Sequence, residues 1–490
     1  MARFNETKQT NKTTSYEGGD VYSMNLEDEW LNFLMSCMLE ETFYESADKQ
    51  RERYLELTEK MANKHGFEFI AKASKYVRNE LGMRSIAQLT AAWLNDKKFE
   101  GKRSYFKNFC HRADDVAEIF AAIDSLNMKR SHAAVRGCGD YLSSLGDYQL
   151  DKYKMSNRTY NMFDCINITH AHSKGIDAFK RGELKKANTW EQVISASNEA
   201  DKGEKWMELV SSNSLGYIAL IRNLRNIIDS TMTFNNIDIW YMTELIPRII
   251  NEDAIKKSLI FPYQIYTAYK MLKSSGYTRY TNISQSLTMA LDAAFRISVN
   301  NVPEIDGSTA IILDVSGSMD DYVSYRSVTT LKELGAVYAA SIWMRNKSVD
   351  IIKFGTKAKY ADTTIGGNIF DFIKRMVDND NLGYGTDIRK AFNILDYSVD
   401  TIFIISDMQI MGDSYDMYYD NEGIESYQKW ENKYGKAEVF SFDISNYHTT
   451  VANPKKKNVH CLMSLSPKIF DYIKILQSGV SIVDYINENY

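Results

Sequence analysis

The sequence predicts an α-helical array followed by an α/β domain with a doubly wound parallel sheet. Three observations carry that prediction. Proline is scarce, 5 in 490 residues, which suits long uninterrupted helices better than a many-turned all-β chain. From residue 25 to about 298 apolar residues recur at three- and four-residue spacing, the period of a helix with one buried face. Beyond Asn300-Asn301-Val302-Pro303, short apolar runs rich in strand formers alternate with helix-length stretches, as in buried parallel strands joined by crossover helices. The division is therefore an N-terminal segment 1–24, a helical domain 25–300 and an α/β domain 301–490.

In chain order, Asn25 is an N-cap for a helix that puts Leu26, Trp30, Phe33, Leu34 and Met38 on one face. Ile70, Ala73, Ser74 and Val77 share the next buried face, and Val116, Ile119, Phe120 and Ile123 another. Leu215, Ile218, Leu220, Ile221 and Leu224 follow, then Leu287, Ala290, Leu291, Ala294 and Phe295. Breaks are expected at Lys64–Gly66, Leu81-Gly82, Asp201–Gly203 and Ser274–Gly276. Many helices joined by short loops suggest stacked helix pairs, although no fixed repeat length is visible. In the last third, strands are expected at Ser308–Leu313, Val349–Phe354, Thr401–Ser406 and Ala437–Phe442. Helices are expected at Leu331–Arg345, Ile369–Val377 and Asp387–Asp396, and an acidic, aromatic loop at Asp413–Asp420.

Composition excludes several classes. With 44% hydrophobic and 25% charged residues the chain is globular, not disordered or fibrous. Five cysteines lie far apart without a CxxC pair, which argues against a zinc ribbon or a disulfide scaffold and fits a reducing compartment. The polar start lacks the core of a signal peptide, and apolar stretches such as Ala336–Met344 are too short to span a bilayer. These features predict a cytoplasmic protein with no membrane partner, read as a monomer.

Charge is unevenly spread. The whole chain carries −5, but residues 51–190 hold 25 Lys and Arg against 17 Asp and Glu, whereas residues 301–490 hold 19 against 26. A basic stretch in an otherwise acidic chain is a candidate phosphate-binding footprint, set against the plainer alternative of a solvated helical surface.

The sharpest motif is Asp314-Val315-Ser316-Gly317-Ser318, directly after an expected strand. Loops at the carboxyl ends of parallel strands build ligand sites, and this turn can aim one carboxylate and two hydroxyls at a common point. Thr386 and Asp407, in two later loops, add a hydroxyl and a second carboxylate. These are hard oxygen donors suited to a divalent ion, Mg²⁺ foremost. The plainer alternative is a turn shaped by two serines with Asp314 as a cap. The pattern resembles the metal-ion-dependent adhesion site of von Willebrand factor A domains over residues 305–490. The resemblance implies a doubly wound, Rossmann-like fold, a metal held by Asp314, Ser316, Ser318, Thr386 and Asp407, and an open position for a partner's carboxylate. No HExxH, GxSxG or GxxxxGK[ST] occurs and no nucleophile–base pair stands out, so the chain is not expected to be an enzyme.

Within the helical part, Tyr76–Ser85, Tyr105–Phe109, His111–Asp115, Asp147–Tyr153, Ile168–His170, Thr189–Glu191 and Leu215–Leu224 occur in an order that resembles the TROVE domain of the Ro ribonucleoprotein family. Glu17–Tyr22 resembles the segment that opens that domain. The resemblance implies a ring of HEAT-like helical repeats whose ends the A domain joins. It also implies binding of small Y-like non-coding RNA on a basic outer surface, and of single-stranded ends of misfolded RNA in the central hole. On that footing the basic residues singled out as RNA contacts are Lys129, Arg130, Arg136, Lys152, Lys154, Arg158, His170 and Lys174. Lys and Arg neutralise phosphates, and Arg and His also stack on unpaired bases. His170 has a second reading as a core histidine; Tyr76, Trp93 and Trp190 are read as core. Two rival functions are a protein-interaction scaffold that captures an acidic partner through the metal, and a metal-dependent nuclease.

Overall fold

The structure is a computed structural model that describes every residue except 1–10, 37–45, 154, 156, 185, 188, 275–280, 325–326, 365, 412–422, 446 and 463–468. The expected loop Asp413–Asp420 and the candidate Lys154 lie outside the described residues.

The helical array begins as expected. Asn25 Oδ1 accepts the backbone N–H of Asp28 at 2.8 Å and starts the helix Leu26–Ser36. Gly66, at φ 86°, makes the sharp break between the helices Ala47–His65 and Phe67–Asn79. The helices then stack in two layers. Phe67–Asn79, Lys102–Phe109 and His132–Ser143 pack side by side in one, and Ser85–Trp93, Ala113–Ser125 and Met162–Thr169 in the other. Gly137 permits close approach of Lys102–Phe109 and His132–Ser143, because a Cβ there would collide with the Arg103 carbonyl and the Phe106 side chain.

The layers share one buried ionic node. Arg78 Nη2 donates to both carboxylate oxygens of Asp115, at 3.0 and 2.7 Å, and Gln88 Nε2 donates to Oδ1 at 2.8 Å. The backbone N–H groups of His111 and Arg112 donate to Oδ2 at 2.9 Å each. Three helices and a turn therefore converge on a carboxylate with no solvent exposure. Burial alone would push that carboxyl up, but the Arg78 guanidinium and the two amides outweigh it and hold it below the ordinary value.

Two expected features are corrected. The break expected at Asp201–Gly203 falls slightly earlier, between the helix Trp190–Ala196 and the helix Lys202–Ser211, whose N-cap is Asp201; Gly203 is buried within the latter, where a Cβ would strike the Ser230 carbonyl and Phe234. Ile218 is 37% exposed rather than core, since the helix Tyr217–Arg222 is short and turns at Asn223 before Leu224–Thr231 begins.

Nine strands are present among the described residues: β1 (Lys12–Thr14), β2 (Asp20–Ser23), β3 (Thr309–Asp314), β4 (Val349–Phe354), β5 (Ala358–Tyr360), β6 (Thr401–Ser406), β7 (Glu438–Asp443), β8 (Thr449–Thr450) and β9 (Val459–Leu462). Six form one sheet in the order β5-β4-β3-β6-β7-β9, parallel except for β5. Alternate residues serve opposite faces. Ile311, Leu313, Phe403 and Ile405 join the core that contains the helix Leu331–Arg345, and Ala310, Ile312, Ile402 and Ile404 pack with Ile388, Phe392, Tyr427 and Trp430. The edge strands β5 and β9 were not expected from sequence.

Both ends of the helical array dock on this domain. At one end, Tyr266 Oη and Lys270 Nζ donate to Glu333 Oε1 at 2.9 and 2.6 Å, and the Tyr269 and Phe370 rings stack at 3.9 Å. At the other, Asn32 Nδ2 donates to the Cys461 carbonyl at 2.8 Å, and β2 pairs with β8. Tyr76 packs edge-on against Tyr485 and Tyr490, and Lys72 Nζ donates to the Asn487 carbonyl at 2.7 Å. The α/β domain thus closes the array.

Asp115→Ala is expected to destabilise the protein at neutral pH by about 3–5 kcal/mol, because it leaves the Arg78 cation buried and unpaired. A carboxyl held low in the folded state contributes stability that is present above its unfolded value, about 3.9, and is lost as pH falls through the folded value. The gap between parent and variant in urea unfolding should therefore narrow as the medium is acidified below about pH 4. A gap that is small at pH 7, or constant with pH, would contradict this account of the node.

Candidate metal centre and nucleic-acid interface

Four of the five expected ligands meet at the strand ends. Leu313 and Ile405 are partners in the β3–β6 ladder, so Asp314 falls beside Ser406 and Asp407 follows one residue later. Asp314 Oδ1 accepts the Ser316 N–H at 2.8 Å, and Oδ2 accepts the Ser406 hydroxyl at 2.6 Å. The Ser318 hydroxyl bonds Asp407 and lies 3.4 Å from the Ser316 hydroxyl. Thr386 belongs to the loop that flanks this turn: the Gly317 N–H donates to the Tyr384 carbonyl at 2.9 Å, and the Met411 N–H to the Thr386 carbonyl at 3.3 Å. Asp314, Ser316, Thr386 and Asp407 are all buried.

The electrostatics fit a cation. Burial pushes the Asp314 carboxyl up. Burial and then the Asp314 charge push Asp407 up to about 7. Two carboxylates that repel each other in a dry pocket are stabilised by a divalent ion between them. Among the described residues no group of three or more His, Cys, Asp or Glu is placed to hold a metal, and this set relies instead on two carboxylates plus hydroxyls. Those hard oxygens suit Mg²⁺ and would act by Lewis acidity and ligand capture.

Two features here escaped the sequence analysis. Ser406 orients Asp314 but reads as a strand residue. The N-terminal segment reaches the same end of the sheet: Tyr16 N–H donates to Gln409 Oε1 at 2.9 Å, Ser15 Oγ to the Ile410 carbonyl at 2.6 Å, and Gly18 bridges to Met411. Glu17, at the tip of that turn, adds to the upward push on Asp407.

The basic residues divide. Arg130 is engaged internally: its guanidinium is held by Asp124 and the Tyr160 hydroxyl and lies over the Phe120 and Tyr160 rings. Lys152 pairs with Glu191 at 3.7 Å and lies near the Tyr148 and Tyr153 rings. In contrast, Lys129, Arg136, Arg158 and Lys174 are exposed, and among the described residues their side chains have no ionic or hydrogen-bonding partner. His170 is exposed too, at φ 53° as the C-cap of Met162–Thr169, so the core alternative for it falls away. Thr169 packs on Gly139, and the His172 N–H donates to Ser143 Oγ, which sets the 170–174 turn against the helix that carries Arg136.

Residues 170–282 match the TROVE domain family. The crystal structure of the Deinococcus radiodurans Ro (RSR) protein superposes with a TM-score of 0.64, covering 93% of this chain and 100% of that one at 14% identity. The chain thus has the fold of that Ro structure, and residues 170–282 are similar to a TROVE domain. No curated protein matches the chain.

The matched segment begins at His170 and includes Lys174, whereas Lys129, Arg136 and Arg158 precede it. Tyr76 and Trp93 are core as expected, and Trp190 is half-buried beside Trp206. No helix among the described residues is long and apolar enough to cross a membrane.

A hard cation at the strand ends has a checkable signature. Millimolar Mg²⁺ is expected to raise the melting temperature of the parent and leave that of Asp314→Ala unmoved. A raised carboxyl contributes stability at low pH that is lost as pH rises through about 7 for Asp407. Protons and metal therefore compete, and the Mg²⁺ shift should be larger at about pH 8 than at about pH 5.5. Equal shifts in parent and variant would place the ion elsewhere.

Proposed function

We propose that this chain is a non-catalytic RNA-binding protein of the Ro type. It holds small structured, Y-like RNA on a basic outer surface and takes single-stranded ends of misfolded RNA into the ring. The observation that carries the proposal is the group of exposed cations without protein partners, Arg136, Arg158 and Lys174 with Lys129 nearby in sequence, alongside the exposed His170. A cation already held by a carboxylate loses that partner when it meets a phosphate, whereas a free one exchanges only counterions. Arg130 and Lys152 accordingly serve to shape the surface rather than to contact the backbone.

The strand-end cluster favours a second, compatible activity. Asp314, Ser316, Ser318, Thr386 and Asp407 would hold Mg²⁺, with a partner protein's carboxylate as the ligand from outside. Such a site captures; its donor set, rich in neutral hydroxyls, favours ligand capture over hydrolysis.

The test is RNA affinity at several salt concentrations. Reversal of Arg136, Arg158 and Lys174 to Glu should weaken binding steeply and flatten the slope of log affinity against log salt by about 0.7 per lost contact for single strands, or about 0.9 for duplex. His170→Ala should weaken binding with little change of slope. Parent-like affinity and slope in the triple variant would remove the physical support for RNA binding by this surface.

A further inference from the structure

Between the helices Met162–Thr169 and Lys174–Arg181 lies an open cavity of about 520 Å³, lined in part by Asn161, Phe163, Phe179, Lys180 and Arg181. None of these residues belongs to the basic set above, yet the cavity sits within the same stretch of chain. Its size suits one nucleotide-sized ligand. Phe163 is 45% exposed, while Phe179 behind it is buried. Their rings are 4.7 Å apart at 33°, so Phe179 backs Phe163 and leaves the latter's ring accessible.

The polar lining suits a nucleotide. Asn161 caps the helix that carries Phe163: its Oδ1 accepts the Asp164 N–H at 3.0 Å, and among the described residues its amide Nδ2 has no acceptor. Lys180 is exposed, without a side-chain partner among the described residues. Arg181 shares Glu183 at 2.7 Å. Gly182, at φ 72°, ends the helix so that both cations stay at the mouth. Residues 180–186 carry four Lys or Arg and one Glu. The one buried carboxylate of the lining, Asp151, is turned to the Ala187 N–H and Gln192 Nε2 at 2.7 and 2.9 Å. An accessible ring with an amide donor beside it and cations at the rim matches an unpaired base carrying its own phosphate. An apolar peptide side chain would use the ring and leave the cations idle.

We propose that this cavity is a subsite for one unpaired nucleotide of the bound RNA, with its base stacked on Phe163 and its phosphate at Lys180. The proposal rests on the RNA-binding function above and adds a place where single-stranded character is recognised.

The test uses the full chain with fluorescein-labelled oligouridylate and a blunt RNA duplex. Phe163→Ala should weaken oligouridylate binding by about tenfold or more at an unchanged salt slope, and leave the duplex unaffected. Phe163→Trp should keep the affinity and show emission quenched by the oligomer and not by the duplex. Lys180→Gln should flatten the salt slope for the oligomer by about 0.7. Circular dichroism melting checks that each variant folds. If Phe163→Ala binds oligouridylate as the parent does, while the Arg136, Arg158 and Lys174 reversal weakens binding, the subsite is wrong and the RNA-binding surface stands. If the parent binds neither RNA, both fall.

Discussion

The constraint on which this architecture depends is that two distant parts of the helical array must fit one α/β domain at once. The helix Leu331–Arg345 is buried between the sheet and the helix Pro262–Ser274, with Glu333 joined to Tyr266 and Lys270. On another side, β8 and the C-terminal helix Ile482–Asn489 meet β2 and the helix Phe67–Asn79. A helical stack left open would expose its terminal apolar faces; here each is covered by the same domain. The curvature of the layers is therefore fixed by closure as well as by local packing. The tight approach at Gly137 and the converging bonds on Asp115 hold that curvature where the layers begin.

Closure also places the two candidate sites. The strand-end carboxylates Asp314 and Asp407 lie where the N-terminal turn Ser15–Gly19 crosses the 409–411 loop, so the first described residues of the chain reach a pocket built from its last third. The exposed cations Arg136 and Lys174 belong to the helical layers, apart from that pocket in the fold's design. Acidic and basic chemistry are thus carried by different units. In the proposed roles this separation would keep the carboxylates free for a cation and leave the lysines and arginines for phosphate.

Much of the fold was legible because its signals are local. Leu331–Arg345 and Ile369–Val377 appear with the expected bounds because each has an apolar pattern and a cap, Thr330 and Asn368, that accepts a backbone N–H. Asp314, Ser316, Ser318 and Asp407 come together because a parallel ladder fixes which strand ends are neighbours. What was illegible depends on distant partners. Gly203 resembles a loop glycine until Ser230 and Phe234 are seen against it, and β9 is too short and mixed to announce itself. Arg130 looks like a phosphate contact in sequence, but Asp124 and Tyr160 claim its guanidinium in the fold. Charge can be counted along a chain; whether a charge is free is a property of the folded surface.

The central claim is that the helical layers, and not the α/β domain, carry the RNA. It is tested most directly by ultraviolet crosslinking of the protein to RNA in its native cell, followed by mass-spectrometric mapping of the nucleotide-bearing peptides. Crosslinks are predicted to concentrate within residues 129–186, with Phe163 and His170 among the modified positions. Crosslinked peptides confined to residues 301–490, or protein recovered without RNA, would contradict the account.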